Sequence, residues 1–495
     1  MRSLKNGIIA TLALALVLTA FPAAALVASW STPVNLSSSG EDARDPQVVV
    51  DSTGLAIAVW GRANGSYQII QSSTRSSGGN WSAAVDVSNP FTSSWHYAFH
   101  PQITVDSSGL ATAIWVSYDD TDSVSIIQSS RLPRGGSWSI PENLSAADGF
   151  ASDPKLTVNS TGLVTAIWIT SDDSDNIIIQ SSTSQSGGDW SEPVDTVLTG
   201  DRVEGPQVVA DSSGLVTAIW TSLNFVGDTK VVQSSKLPVN GVWSIPVNLS
   251  GVGVEARYPQ VAVDSTGLIT AIWSGDGIIQ SRTSQGVGDW STSTADLIEI
   301  GQVAYSPQVV ADSSGLVTAI WQRDNGTHYI IQSSTRPSGG AWSEPVDLSE
   351  IGQSATNPYI TVDSSGLVTA IWQRNNGTHS IIQSSTRPSG GAWSEPFDLS
   401  EIGRNASESR VTLGSTGLVT AIWKRFNGSH NIIQSSYFGG SITTPTPTPT
   451  QTPTQTPTPT LATTGSNLEW LPLASVLVLV AGVALFVFGN RRLRG

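Results

Sequence analysis

Residues 363–372 read DSSGLVTAIW, and this decamer occurs eight times along the 495-residue chain with small changes. Its copies end at intervals of 48 to 55 residues, at Trp60, Trp115, Trp168, Trp220, Trp273, Trp321, Trp372 and Trp423. Repeats of this length indicate an architecture built from one recurring unit of secondary structure. Asp-Ser-Ser-Gly predicts a turn, and the β-branched and aromatic residues after it predict a strand. We therefore expect the decamer itself to be structural.

One repeat, residues 358–400, carries signals for four short strands. Strand A is predicted at 358–362, strand B at 367–372, strand C at 380–384 and strand D at 393–399. Between B and C, the sequence Asn375-Asn376-Gly377 predicts a two-residue hairpin. Four antiparallel strands per repeat are typical of a β-propeller blade. A solenoid is the competing repeat fold, but its repeats are usually shorter.

The tryptophans of strand D indicate how the ring closes, and there are again eight of them: Trp30, Trp81, Trp138, Trp190, Trp243, Trp290, Trp342 and Trp393. The first precedes every strand A, whereas the last repeat stops near Gly440 without a strand D. We therefore predict an all-β fold over residues 29–440, an eight-bladed β-propeller of four-stranded antiparallel blades. The N-terminal strand is expected to complete the last blade, so that no sheet edge stays unpaired.

The two ends of the chain carry export and anchoring signals. Residues 1–25 combine a basic start, an apolar run and small residues before a predicted cleavage after Ala25 or Ala28, as in a secretory signal peptide. An uncleaved anchor is the alternative. The Thr-Pro segment 441–460 predicts an extended stalk. Residues 471–488 predict a transmembrane helix and 489–495 a basic cytoplasmic tail, so we expect the propeller at the cell surface, outside the membrane.

The pentapeptide Leu461-Ala462-Thr463-Thr464-Gly465 lies between the stalk and the apolar run. This order resembles the sorting signal of sortase substrates, in the LAxTG variant of actinobacterial surface proteins, with Ala462 where the usual motif has proline. The resemblance implies that a sortase cleaves between Thr464 and Gly465 and joins the protein to the cell wall. Retention as a single-pass membrane protein is the alternative.

The turn from strand C to strand D resembles the Asp box of sialidase-like (BNR-type) propellers. Thr335, Gly339 and Trp342 match the hydroxyl, glycine and tryptophan of that motif, while Pro337 replaces its aspartate. The next repeat has the same pattern at Thr386, Pro388, Gly390 and Trp393. The resemblance implies a sialidase-like propeller with degenerate Asp boxes. It does not extend to the active site: the family's Arg-Ile-Pro tripeptide is absent, and no spacing selects Arg44, Arg257 or Tyr258 for its chemistry.

The repeats differ mainly on one predicted face. The D-to-A and B-to-C connections share that face and vary, whereas the A-to-B and C-to-D turns hardly change. We expect the residue before the proline of strand A, or its equivalent, to ring the mouth of the central channel. The candidate ligand-binding residues are Asp45, His100, Asp153, Tyr258, Asn357 and Glu408 in that ring, with Gly205 and Ser306, and Trp95, His96 and Tyr97 in the long D-to-A loop. Aromatic residues beside a pocket favour sugar stacking or protein binding; covering a blade edge is the alternative.

Composition limits the partners. A net charge of −15 disfavours binding to nucleic-acid phosphates. The absence of cysteine excludes disulfides and thiolate metal sites. Clustered carboxylates in two B-to-C loops have the oxygen ligands that Ca²⁺ takes, but solvated turns explain them equally, so no cofactor is assigned. These residues are Asp119, Asp120 and Asp122, and Asp172, Asp173 and Asp175.

Together these features predict a surface-anchored binding module that recognises extracellular glycans or proteins through its variable loops. Near-equivalent repeats offer near-equivalent sites, and multivalency strengthens weak binding. The alternative is a sialidase-like glycoside hydrolase or lyase acting on extracellular polysaccharide through ring carboxylates such as Asp45, Asp153 and Glu408. A structural spacer in the cell wall is a third reading.

Overall fold

The structure, a computed structural model, describes residues 29–65, 67–88, 97–119, 124–146, 149–171, 176–196, 202–224, 229–298, 302–350, 352–414 and 417–439. All of them belong to a compact unit, residues 1–442, and none to the second unit, 443–495. The predicted signal peptide, stalk, sorting motif, transmembrane segment and tail, and the loop residues Trp95 and His96, lie outside the described residues. Within the described ranges, no helix is long and apolar enough to cross a membrane.

The described chain is all β and consists of four-stranded antiparallel units. It begins with a two-residue strand, β1 (Val34–Asn35). Unit 1 contains β2 (Ala43–Val50), β3 (Ala56–Asn64), β4 (Tyr67–Arg75) and β5 (Val85–Asp86); unit 2 contains β6 (Tyr97–Val105), β7 (Ala111–Asp119), β8 (Val124–Leu132) and β9 (Glu142–Asn143). Unit 3 contains β10 (Ala151–Val158), β11 (Leu163–Ser171), β12 (Ile177–Gln185) and β13 (Val194–Asp195); unit 4 contains β14 (Arg202–Ala210), β15 (Val216–Asn224), β16 (Thr229–Leu237) and β17 (Val247–Asn248).

The later units repeat this plan. Unit 5 contains β18 (Ala256–Val263), β19 (Leu268–Gly275), β20 (Ile278–Gln285) and β21 (Ala295–Asp296); unit 6 contains β22 (Val303–Ala311), β23 (Val317–Asp324), β24 (Tyr329–Arg336) and β25 (Val346–Asp347). Unit 7 contains β26 (Ala355–Val362), β27 (Val368–Asn375), β28 (Ser380–Arg387) and β29 (Phe397–Asp398); unit 8 contains β30 (Ala406–Leu413), β31 (Val419–Phe426) and β32 (Asn431–Phe438). Units 1 and 2 are joined into one eight-stranded sheet by a single parallel bridge between Gln68 and Tyr97.

Unit 8 takes its fourth strand from the other end of the described chain. β1 pairs antiparallel with β32, with Val34 opposite Ser435 and Asn35 opposite Gln434. The first strand of each unit contacts the first strands of both neighbours, and β2 contacts β30. The first strands thus form a closed inner circle, and repeated four-stranded antiparallel sheets in this arrangement match a β-propeller.

The apolar core is distributed between consecutive units. Trp372, the last residue of the decamer, is fully buried and packs with Ile320 and Ile331 of the preceding unit. Trp60 packs in the same way with Ile422 and Ile433, which joins the first and last units. Fully buried tryptophans occupy this position throughout: Trp60, Trp115, Trp168, Trp220, Trp273, Trp321, Trp372 and Trp423. The decamer therefore supplies the packing between units.

The polar half of the decamer forms the predicted turn. Oδ1 of Asp363 accepts hydrogen bonds from the backbone N–H of Ser365 at 2.8 Å and of Leu367 at 2.7 Å. Gly366 has a φ of 80°, a left-handed conformation that glycine adopts at low cost. The same aspartate turn recurs at Asp51, Asp106, Asp211, Asp264 and Asp312.

Two details of the predicted repeat are wrong. Asn375 pairs with Ser380, so four residues connect strands B and C instead of two. The side chain of Asn376 accepts hydrogen bonds from the backbone N–H of Thr378 and His379 and thereby holds a longer turn. The fourth strand covers only Phe397–Asp398, and Trp393, which was predicted to begin it, packs against the core between units 6 and 7.

Candidate functional site

Every first strand carries a β-bulge at the predicted ring position. In β26 the register shifts between Thr356 and Tyr359, and Asn357 within the bulge has a φ of 53°. The eight equivalent residues have φ values from 48° to 57°: Asp45, His100, Asp153, Gly205, Tyr258, Ser306, Asn357 and Glu408. A left-handed conformation is uncommon for residues other than glycine and costs on the order of 1–3 kcal/mol. The fold maintains this conformation in all eight units, and in seven of them it is adopted by a residue other than glycine.

Proline marks the position of most of these bulges. In seven units the residue after the ring position is proline, and Ser409 takes its place in the eighth. Proline cannot donate to a strand ladder and is therefore confined to strand ends, edges and bulges. The predicted strand A begins at this proline, whereas β26 begins three residues earlier, at Ala355. A proline inside a strand was thus the sequence signal for the bulge, which re-aims the neighbouring side chains.

The first cavity, here called the channel-mouth cavity, lies between the bulges of units 4 to 7 and measures about 400 Å³. It contains the predicted residues Tyr258 and Asn357, together with Gly205 and Ser306 of the same ring. Sequence reasoning missed Glu204, Gln207, Gln260, Gln308 and Tyr359 as lining residues. Glu204 is ion-paired with Lys230 at 2.5 Å. Since these lining residues flank the ring positions on the same strands, strand alternation was the signal that could have found them.

The second cavity, here called the aromatic pocket, lies where units 1 and 2 meet and measures about 560 Å³. It brings together three predicted residues, Asp45, Tyr97 and His100. It also contains four residues that were not predicted: Arg44, Gln68, Phe99 and Tyr118. Four of its seven residues have aromatic rings. The other three are the charged Arg44 and Asp45 and the amide Gln68.

The rings of the aromatic pocket are held by the β6–β7 ladder. Tyr97 lies directly opposite Tyr118, with the ring centroids 6.3 Å apart and the planes inclined by 50°. Phe99 and His100 form an edge-to-face pair with centroids 5.1 Å apart. A cross-strand aromatic pair such as Tyr97 and Tyr118 stabilises both the sheet and the ring orientation. The aromatic wall of the pocket therefore belongs to two paired strands, and His100 lies in the bulge of the first of them.

Two predicted ring residues, Asp153 and Glu408, line neither cavity. Oε2 of Glu408 accepts a hydrogen bond of 2.9 Å from the backbone N–H of Asp45, and Oε1 is ion-paired with Lys424. This carboxylate thus joins the first and last units at the bulge. Asp153 occupies the equivalent bulge of unit 3.

Metal ligands are not grouped in the part of the chain that the structure describes, since no three His, Asp or Glu side chains there are placed to hold an ion. Asp119 is buried at the end of β7. The other acidic loop residues considered for Ca²⁺, Asp120 and Asp122 and the group at 172–175, lie outside the described residues.

No profile of a known protein family and no curated protein sequence matches the chain. Solved structures do match it. A lectin from Burkholderia pseudomallei is 12% identical with a TM-score of 0.53, covering 74% of this chain and 100% of the lectin. The β-propeller domain of the Trilobed protease from Pyrococcus furiosus is 10% identical with a TM-score of 0.44, covering 73% and 99% of the two chains. An α-L-arabinanase from Penicillium chrysogenum, complexed with arabinobiose, is 12% identical with a TM-score of 0.43, covering 59% and 94%.

At these identities the likeness concerns the fold. Together with the closed circle of first strands and the antiparallel order within each unit, the likeness to the lectin identifies the described part of the chain as an all-β structure with a β-propeller fold.

Proposed function

We propose that this protein is a cell-surface binding module that holds a saccharide in the aromatic pocket. The observation that carries the proposal is the grouping of Tyr97, Phe99 and Tyr118 beside Arg44 and Asp45 in one cavity of about 560 Å³. Ligand sites are concave, mostly apolar and furnished with a few convergent polar groups. The aromatic pocket fits that description on the variable face of the molecule.

The chemistry of the lining suits a sugar ring. The apolar C–H face of a pyranose or furanose stacks on an aromatic ring, and Tyr118 offers such a ring with a hydroxyl at its edge. Sugar hydroxyls both donate and accept hydrogen bonds, so the carboxylate of Asp45 and the guanidinium of Arg44 suit them as acceptor and donor. A lectin shares the fold, but the residues of the aromatic pocket carry the argument.

The proposal takes the fold as an eight-bladed propeller closed by the N-terminal strand. The pairing of β1 with β32, the contact between β2 and β30, and the eight copies of the decamer support this count. The channel-mouth cavity offers a second place for an extended ligand on the same variable face. A polymer bound in one cavity is held close to the second cavity on the same face, so its effective concentration there is high and its overall affinity rises.

We favour binding without turnover. Glycoside hydrolysis needs a carboxylic acid and a carboxylate on either side of the scissile bond. Of the ring carboxylates weighed for that role, Glu408 is engaged by Lys424 and by the backbone of Asp45. A hydrolase or lyase remains the competing function, and it is distinguished by product formation.

The proposal also includes the location of the protein. Residues 1–25 direct export, 441–460 form a stalk, and 461–465 serve as a sortase substrate ahead of the transmembrane segment 471–488. The order of these segments in the sequence supports this assignment. The partners are then a sortase, the cell wall and an extracellular glycan.

A glycan array probed with the full-length protein tests the function. We expect a restricted set of saccharides to be retained, and no shorter sugar or unsaturated product to appear in solution after prolonged incubation. Release of such products would establish the enzymatic alternative. Retention of no saccharide would overturn the proposal.

A further inference from the structure

The channel behind the ring of bulges is lined by one position of each first strand. In seven units this position pairs with an isoleucine of the second strand, as Gln207 does with Ile219 and Gln260 with Ile272, and in unit 1 Gln47 pairs with Val59. Five of the eight units have glutamine there: Gln47, Gln102, Gln207, Gln260 and Gln308. Gln207, Gln260 and Gln308 line the channel-mouth cavity, which fixes the direction in which this position faces.

Two units replace this glutamine with a cation. Lys155 pairs with Ile167 in unit 3, and Arg410 pairs with Ile422 in unit 8, in the same register as the glutamines. Both side chains are half-buried. The shared register directs both side chains toward the central channel, as it directs the glutamines that line the channel-mouth cavity.

Arg410 is held in a fixed orientation. Its guanidinium lies over the ring of Tyr359, 4.0 Å from the centroid, and Nη1 donates a hydrogen bond of 3.0 Å to the carbonyl of Ser409. Tyr359 is itself a wall of the channel-mouth cavity. The remaining N–H groups of a guanidinium form a planar fork that suits an oxoanion.

Lys155 has little local compensation for its charge. Nζ donates one hydrogen bond, 3.3 Å long, to the carbonyl of Pro154. Burial in the channel lowers the pKa of Lys155; the nearby charge of Asp153 opposes this effect, and the charge of Arg410 adds to it. Among the described residues, neither Lys155 nor Arg410 forms an ion pair with a carboxylate. The channel thus contains two cations that act on each other and that an anion would stabilise.

We infer that the channel binds the acidic group of a saccharide, a uronate carboxylate or a sulfate ester, between Lys155 and Arg410. The glutamine amides around these cations can donate to the remaining oxygens of such a group. This inference rests on the proposed saccharide-binding function and specifies the chemical class of the ligand.

The overall charge of the protein sharpens the inference. With a net charge of −15 the molecule repels anions as a whole, so an acidic ligand needs a local concentration of positive charge. At physiological ionic strength, exposed charges are largely screened beyond roughly 8 Å. The charges of Lys155 and Arg410 are half-buried, so they are screened less than the charges on the acidic outer surface. They therefore have the larger effect on the free energy of an anion that enters the channel.

The test compares matched ligands by isothermal titration calorimetry on the full-length protein. The probes are trigalacturonate and its methyl ester, and a sulfated galactan oligosaccharide and its desulfated form. We expect the acidic member of at least one pair to bind about tenfold or more tightly than its neutral partner, as for a charge-assisted contact. The pair that shows the difference identifies the source of the acidic group, carboxylate or sulfate.

The protein itself offers the control variants. Lys155→Gln and Arg410→Gln install the residue that five other units already have at this position, so both variants are expected to fold. Together they should abolish the preference for the acidic ligand and leave the affinity for the neutral ligand unchanged. Gln260→Lys adds a cation to the same channel and should increase the preference.

The outcomes separate the two claims. Equal affinity for the acidic and neutral members of both pairs would overturn the inference and leave saccharide binding intact. If no saccharide binds, the proposed function is wrong. The effect of inorganic sulfate on thermal stability then tests the anion site by itself. A rise in Tm with sodium sulfate that is larger in the wild type than in the double variant supports the site, whereas equal rises overturn it.

Discussion

Nη2 of Arg387 donates a hydrogen bond of 2.6 Å to Oγ1 of Thr318, which lies on β23 of the preceding unit. The guanidinium is buried and lies over the ring of Trp393. Burial lowers the pKa of Arg387, while the charge of Asp312 in the preceding decamer opposes this effect. The same bond recurs between Arg336 and Thr270 at 2.6 Å, and between Arg75 and Thr420 at 2.9 Å. These arginine–threonine hydrogen bonds connect neighbouring units.

Removing the hydrogen bond between Arg387 and Thr318 should destabilise the fold. Arg387→Met removes the donor and leaves the hydroxyl of Thr318 without its partner, so we expect the free energy of unfolding to fall by about 2–4 kcal/mol. Urea denaturation measures the change. Arg202→Met, at an exposed position, is the control and should shift stability by less than about 0.5 kcal/mol. Equal losses in the two variants would contradict the assigned role.

Ring closure is testable with two equivalent leucines. Leu36 follows β1 and its N–H donates to Ile433 at 2.8 Å, just as Leu399 follows β29 and its N–H donates to Ile382 at 2.7 Å. Both side chains are buried in clusters between units. If β1 completes unit 8 in solution, Leu36→Ala and Leu399→Ala should each cost about 2–4 kcal/mol in urea denaturation.

A different result for the two leucines would be informative. A neutral Leu36→Ala beside a costly Leu399→Ala would mean that β1 is not docked on β32. The last unit would then have three strands and an unpaired edge.

The sequence predicts the repeat because its strongest signals are local and recur. The aspartate turn, the strand that follows it and the buried Trp372 all have their cause within ten residues of chain. The last repeat has no strand D of its own, and this likewise predicts the partner of β1, which pairs with β32 in the structure. Such features depend on turn chemistry and strand patterning, and both are readable from residue types.

The candidate site is only partly predictable. Asp45, Tyr97 and His100 were selected from the sequence, and the structure brings them into one pocket. Tyr118 was missed because it enters the pocket from the end of β7, opposite Tyr97, and that pairing depends on a register which the bulge shifts. Asp153 and Glu408 share the ring position but line neither cavity, since position in a repeat does not fix what lies beside a residue in the neighbouring unit.

The seam between units 4 and 5 should show a pH dependence. Nζ of Lys236 donates to Oγ of Ser284 at 2.6 Å and to the carbonyls of Gly286 and Gly288 at 2.7 Å each. Burial lowers the pKa of Lys236 to about 8, from 10.5 for the unperturbed group, although the charge of Asp289 opposes this. Between these two pH values the unfolded chain binds the proton and the folded chain has lost it. Stability therefore rises with pH across this window, and the contribution is lost as pH falls through 8.

Lys236→Arg isolates this contribution. Arginine keeps its proton throughout the window, and Arg131 occupies the equivalent position in unit 2 with Nη2 3.1 Å from Oγ of Ser184. Urea denaturation at pH 7.5 and at pH 10 should show that the wild type gains stability relative to the variant. A constant difference between the two proteins would show that Lys236 does not titrate in this range.

The proposed wall anchor depends on Thr464. Thr464 is a fixed position of the motif that the sortase would recognise, and alanine keeps the backbone carbonyl but removes the threonine side chain. Thr464→Ala should therefore move the protein from the cell-wall fraction to the membrane fraction. Immunoblots of the fractionated cells measure the change. Thr463→Ala changes the variable position of the motif and should leave the protein in the wall. An unchanged distribution of the Thr464 variant would favour a retained transmembrane span.

The central claim is that the aromatic pocket holds the saccharide. Isothermal titration calorimetry with the strongest array ligand tests it most directly, on the wild type, Tyr118→Ala and Phe397→Ala. Phe397 is an exposed aromatic residue on the outermost strand of unit 7 and serves as the matched control. We predict that Tyr118→Ala weakens binding by about tenfold or more, as for a stacking aromatic residue, while Phe397→Ala binds like the wild type. Wild-type affinity in the Tyr118 variant would contradict the account.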